Sequence, residues 1–247
     1  MICWKPSVKL TAVFALLALA LLLVPLVRIS FYAVPWYDDY NYGSFAKAGM
    51  EEGGPFWGAI QGALFCVKTQ WYAWQGTYSS IFFMSLMPAV WGEDKYFLGP
   101  LFLLALPVIS VFVLVKVLAM DVLGGDGSSC LVLQAVVSAM TVVLIYSSQA
   151  GFFWYNGGIH YVGMHFAAAA IRLLLAKGRL QIILLALFTM LGAFLTAGAN
   201  YVTALQGGIV LLLIGATGFF RQRRLRKVLL LIPALCVYAA GFYKNVT

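Results

Sequence analysis

The run LTAVFALLALALLLVPLV, Leu10 to Val27, carries no charge and is long enough as a helix to cross the hydrocarbon core of a bilayer. Similar runs recur down the chain at about Phe97 to Leu118, Leu131 to Ser148, Tyr161 to Leu175, Leu180 to Ala197, Tyr201 to Phe220 and Val228 to Phe242. Each is bounded by charge, glycine or a polar turn. With 63% hydrophobic and 10% charged residues and a mean hydropathy of +0.94, the chain lies outside the range of soluble domains. Its 247 residues suffice for about seven or eight spans with short connections. The expectation is all-α: one polytopic transmembrane helical bundle over 1–247, with no stretch polar enough for a separate soluble domain.

Charge sets the orientation. Every acid lies at or before Asp126, and basic residues alone follow it. The net charge of +8 does not point to nucleic acid, because the densest cluster, RQRRLRK at Arg221 to Lys227, sits between two apolar runs as a cytoplasmic loop does under the positive-inside rule. Counting back from it puts AGAN (Ala197 to Asn200) outside, RLLLAKGR (Arg172 to Arg179) inside, GFFWYNGGIHY (Gly151 to Tyr161) outside and Lys116 inside. The first run follows Lys5 and Lys9 and has no small-residue cleavage site behind it, so it reads as a retained span with a cytoplasmic N-terminus.

Between Phe31 and Trp91 the chain is rich in aromatics and glycine but poor in long apolar runs. Short interfacial helices in a first outer loop, 28–76, are the expected result. Thr77 to Trp91, which contains Pro88, is either a half-span or the partner of Phe56 to Val67 in a short hairpin. The four cysteines, Cys3, Cys66, Cys130 and Cys236, show no ligand spacing, so neither a disulfide framework nor a metal site is expected.

Four clusters then converge on the outer face: WYDDYNYG (Trp36 to Gly43), WYAWQGTYSS (Trp71 to Ser80), GFFWYNGGIHY and AGANYVT (Ala197 to Thr203). A site there would let an apolar tail stay in the bilayer while its polar head reaches a side chain. Adjacent carboxylates repel, so Asp38 and Asp39 suit a protonated acid beside a base, or a divalent cation held between them; equally, they are solvated loop acids or helix caps. The aromatics suit stacking on sugar rings or anchoring at the interface. His160 and His165 diverge by about 140° on a helix and form no metal pair; His160, at a loop edge, is a candidate hydrogen-bonding residue. The sequence has no G-x-S-x-G elbow, no phosphate loop and no H-E-x-x-H, which removes serine hydrolase, ATPase and zincin readings. Spans almost free of ionisable residues argue against an ion- or proton-coupled carrier.

In order and spacing, a first span followed by DDY, then WYAWQGTYSS, FFWYNGGIHY and AGANY, resembles bacterial membrane proteins of the GT-C glycosyltransferase superfamily, related to O-antigen glucosyltransferases. The resemblance implies transfer of a sugar from a polyprenyl-phosphate carrier to an envelope glycan or lipid acceptor at the outer face of the bacterial inner membrane. It implies Asp38 or Asp39 as general base, and Tyr42, Trp74, Gly76, Tyr78, Trp154, Tyr155, Asn156, Gly157, His160 and Asn200 as substrate-binding residues. Its implied partners are a lipid-linked sugar donor, membrane lipids and envelope glycan assembly proteins. Thr77 stands where relatives carry a basic residue and Tyr201 where they carry glutamate, and relatives run on for several more spans, so the expectation is the amino-terminal part of such a protein, a truncated product or a divergent member. The alternative is a non-catalytic membrane protein that binds, transports or helps assemble lipid-linked glycan, or an inactive fragment.

Overall fold

The computed structural model describes residues 7–159, 167–220 and 228–246, and these are helical with no strand. His160, His165, Cys3 and the basic segment 221–227 lie outside the described residues. The helices are α1 (Val8–Ser30), α2 (Asp38–Gly53), α3 (Ala59–Ala73), α4 (Tyr78–Ser85), α5 (Leu98–Lys116), α6 (Gly127–Val143), α7 (Tyr155–Ile159), α8 (Ala167–Leu175), α9 (Arg179–Ala197), α10 (Tyr201–Phe220) and α11 (Ile232–Val246).

Among the described residues five stretches are long and apolar enough to cross a membrane: Val8–Ser30, Glu93–Val122, Arg179–Ala197, Tyr201–Phe220 and Leu229–Val246. By length and composition this is a multi-pass membrane protein. Five is fewer than the seven or so runs in the sequence. α6 has 17 residues: Asp126 starts it before Leu131 by accepting at Oδ1 from the Ser128 and Ser129 amides (2.9 Å each), but it ends at Val143, well short of Ser148. Of the expected span Tyr161 to Leu175, only α8 is described. Leu21, Leu184, Leu187 and Phe188 are among many large apolar side chains left exposed on α1 and α9, as on a surface that meets lipid.

Side-chain contacts fix which helix ends share a side. Phe31, after α1, stacks on Phe97 ahead of α5, with ring centroids 5.1 Å apart. The Ser79 amide at the start of α4 donates to the Gly198 carbonyl after α9 (3.0 Å), and Asn245 near the end of α11 donates to the Ala197 and Ala199 carbonyls (2.8 and 2.9 Å). At the opposite end Arg172 of α8 pairs with Asp121, in the π-turn Val117–Val122 that prolongs α5 (3.0 Å).

α3 finds its closest partner in α2. A Cβ on Gly62 would meet the Phe45 carbonyl, and one on Gly49 or Gly58 would meet the other's carbonyl. Ala46, Ala59 and Ala63 are fully buried in this seam. Small residues on both faces let the backbones approach, which gives α2 a fit that the bulkier Thr77 to Trp91 lacks. The latter stretch is instead the eight-residue α4, which stops at Ser85, followed by a 3-10 turn at Pro88–Trp91.

Candidate functional site

Asp39 is the centre of the polar end. Its carboxylate is fully buried and accepts three hydrogen bonds: from the Trp36 amide (3.0 Å) and the Tyr96 hydroxyl (2.6 Å) at Oδ2, and from the Asn156 amide (3.0 Å) at Oδ1. Tyr96 in turn accepts from the Tyr155 amide (3.1 Å). One carboxylate and one phenol thus tie the first turn of α2, the head of α5 and the start of α7 together. Burial pushes the Asp39 carboxyl above its ordinary 3.8, while the bonds from Tyr96, Trp36 and Asn156 oppose the shift and the neighbouring Asp38 adds to it. Burial likewise raises the phenols of Tyr42 and Tyr155.

Asp38 has the other fate. It sits at the first position of α2, half-buried, where a negative charge is favoured by the helix dipole. Ahead of it Tyr37 holds φ +50, the one described non-glycine residue with positive φ. That kink turns Trp36 back so that its ring meets the edge of Trp154, centroids 5.9 Å apart. Strained backbone of this kind persists only where its surroundings over-determine it, and here Asp39 does so by gripping the Trp36 amide.

The WYNGG stretch completes this group. Among the described residues the buried Trp154 Nε1 and both polar atoms of the Asn156 side chain lack a hydrogen-bond partner. A Cβ on Gly157 would run into the Trp154 ring and the Ala150 carbonyl, so only glycine fits there. Asp38, Asp39, Tyr42, Trp154, Tyr155, Asn156 and Gly157 are therefore brought together.

No protein-family model, no curated protein and no solved structure matches this chain.

Of the remaining predicted residues, Gly76, Tyr78 and Asn200 gather at a second place, where they make packing and capping contacts. Gly76 packs against the backbone of Lys244 and Asn245. Tyr78 donates to the Phe194 carbonyl (2.7 Å) and fills the space beside Gly198. The Asn200 Oδ1 caps α10 by accepting from the Thr203 amide (3.0 Å). Trp74 is exposed. His160 lies outside the described residues.

A cation shared by the two aspartates does not fit: both Asp39 oxygens already face O–H or N–H donors, and no group of three His, Cys, Asp or Glu gathers among the described residues. The residue that sequence reasoning missed is Tyr96. It follows the charged triplet Glu93–Lys95, which reads as a solvated turn, and only the fold brings its hydroxyl to Asp39.

Behind this group an apolar cavity of about 420 Å³ is lined by Leu103, Ile145, Tyr146, Phe152 and Gly158 among others. It shares Pro107 and Thr141 with a second cavity of about 520 Å³ further along the bundle.

Proposed function

We propose that this chain is a membrane glycosyltransferase of the GT-C type, which moves a sugar from a polyprenyl-phosphate carrier to an envelope glycan or lipid acceptor on the outer face of the bacterial inner membrane. The observation that carries the reading is the division between the two aspartates. Asp39 is consumed in holding three elements together, whereas Asp38, one residue away, remains half-buried beside the Trp36–Trp154 pair. In this reading Asp38 takes the proton from the acceptor hydroxyl, the acceptor oxygen bonds to the anomeric carbon, and the bond from that carbon to the carrier phosphate breaks, releasing polyprenyl phosphate. Trp36 and Trp154 offer apolar planes to the sugar, and the Asn156 amide can both donate to and accept from sugar hydroxyls. The 420 Å³ cavity behind them suits part of the carrier's apolar tail.

The same reading lays α2 and α3 in the interface and counts α6 and the segment ending in α8 as crossings. Asp38, Asp39, Lys47, Glu51 and Glu52 all lie on α2, too many charges for the hydrocarbon core. Both ends of α2 are tied to one short stretch ahead of α5, Asp39 to Tyr96 and the following turn through the Trp91 indole, which donates to the Pro55 carbonyl (2.8 Å). Phe56, Trp57, Leu64 and Phe65 are exposed on the opposite side of the α2–α3 seam, as an interfacial hairpin requires.

The test is transfer of labelled sugar from polyprenyl-phosphate donors by membranes that carry the chain. Asp38→Asn should lose about 10²- to 10⁴-fold in rate with the amount of inserted protein unchanged, whereas Asp39→Asn should lower that amount. Properly inserted wild type that transfers nothing from any donor, yet retains lipid-linked glycan, would give the binding-protein alternative the stronger claim.

A further inference from the structure

The larger cavity lies away from the polar end. It runs along α5 and the π-turn after it, from Pro107 to Val122, and is flanked by α8 and α10, a length of roughly 20 Å at 1.5 Å rise per residue. Its walls are apolar, and two of its hydroxyls are already used within their own helices: Ser110 donates to the Leu106 carbonyl (2.7 Å) and Thr141 to the Val137 carbonyl (2.8 Å). Water would find few partners in such a space. At about 520 Å³ it is too narrow for a further helix, whose diameter with side chains is about 10–12 Å. A flexible alkyl chain fits, and the length covers one leaflet, about half of a hydrocarbon core about 30 Å thick, with several Å left at one end for the headgroup region.

One end of the cleft is basic. Leu118 and Val122 from the α5 side and Ile171 and Leu174 from α8 line that end, and they flank the Asp121–Arg172 pair in sequence. Arg172 uses its Nε for Asp121 (3.0 Å) with the side chain 43% exposed, which leaves the outer N–H groups of the guanidinium facing away from this bond. Lys177 and Arg179 follow on the exposed α8–α9 turn. We infer that the cleft is a binding site for an anionic glycerophospholipid, with one acyl chain between α5, α8 and α10 and the headgroup phosphate on Arg172. This site is independent of the sugar-transfer reading and lies at the opposite end of the bundle.

The experiment uses the full chain in mild detergent, offered phosphatidylglycerol or phosphatidylcholine with the same acyl chains, with retained lipid counted by native mass spectrometry. Phosphatidylglycerol should be retained over phosphatidylcholine by about fivefold, the ratio one basic residue near an anionic headgroup supports. Arg172→Gln should erase that preference, and Ser110→Phe or Thr217→Phe should reduce retention of both lipids. A second measurement needs no variant: phosphatidylglycerol with a photoreactive acyl chain should label peptides of α5, α8 and α10 above those of the outward-facing α9. Equal retention of the two lipids, labelling spread evenly over α9, or retention of polyprenyl phosphate to the exclusion of glycerophospholipid would overturn the inference.

Discussion

Asp39 and Asp38 differ by one position and by nearly everything else. Removing the Asp39 carboxylate strands the Trp36 and Asn156 amides and leaves the Tyr96 hydroxyl only the Phe153 carbonyl at 3.3 Å, and each unsatisfied buried group costs about 1–3 kcal/mol. Asp39→Ala should therefore destabilise by several times the cost of Tyr96→Phe, read by thermal unfolding in detergent. The pH dependence has a definite sign. Because the folded-state pKa is raised above 3.8, the folded protein binds the proton more tightly than the unfolded chain. The associated stability is complete below pH 3.8 and is lost as pH rises through the folded value. Unfolding measured across this acidic window should show that slope in wild type and lose Asp39's share of it in Asp39→Asn. Tyr37→Gly should relieve the positive φ and hold or raise stability, while Tyr37→Val should lower it by about 1–3 kcal/mol. The paired acids and the WYN aromatics were legible in the sequence as a candidate site. Which acid is buried was not, because its burial depends on Tyr96, 57 residues from Asp39, at the edge of a charged turn that reads as solvated.

The α2–α3 seam is an element-level device. Its glycines replace side chains with backbone contact, so Gly62→Ala, whose Cβ would meet the Phe45 carbonyl, should cost about 1–3 kcal/mol by overpacking. Gly127→Ala is the control: nothing lies near its Cβ at the start of α6, and stability should stay the same or rise slightly. Asn245→Ala should cost about 1–2 kcal/mol by releasing the Ala197 and Ala199 carbonyls, again read by unfolding. Long apolar runs made α1, α9 and α10 legible almost to their ends. The pairing of α3 with α2 was not, since glycine spacing shows that a close approach is allowed without naming the partner. Gly76, Tyr78 and Asn200, which the resemblance implies as pocket residues, have packing and capping contacts that their residue types alone do not announce, because glycine, tyrosine and asparagine serve packing and capping as readily as binding.

At the scale of the whole molecule, the contacts sort helix ends into two sides. With the native cysteines replaced, Tyr37→Cys and Ser148→Cys should react with a membrane-impermeant thiol reagent from one side, and Gly127→Cys and Lys177→Cys from the other. Positive charge in loops made much of this alternation readable. The gathering of WYDDYNYG with WYN could only be expected from topology, because its bonds join residues 57 and 117 apart. Those separations also govern the order of assembly. The α2–α3 seam closes across a short turn and can form as soon as its residues emerge, whereas the Asp39 grip needs α5 and α7 to have been made and delivered to the same side. Loop-closure entropy over such distances is met only by contacts that come late. Asp38 thus acquires its setting only once the chain has been made through Asn156, well after its own helix can form.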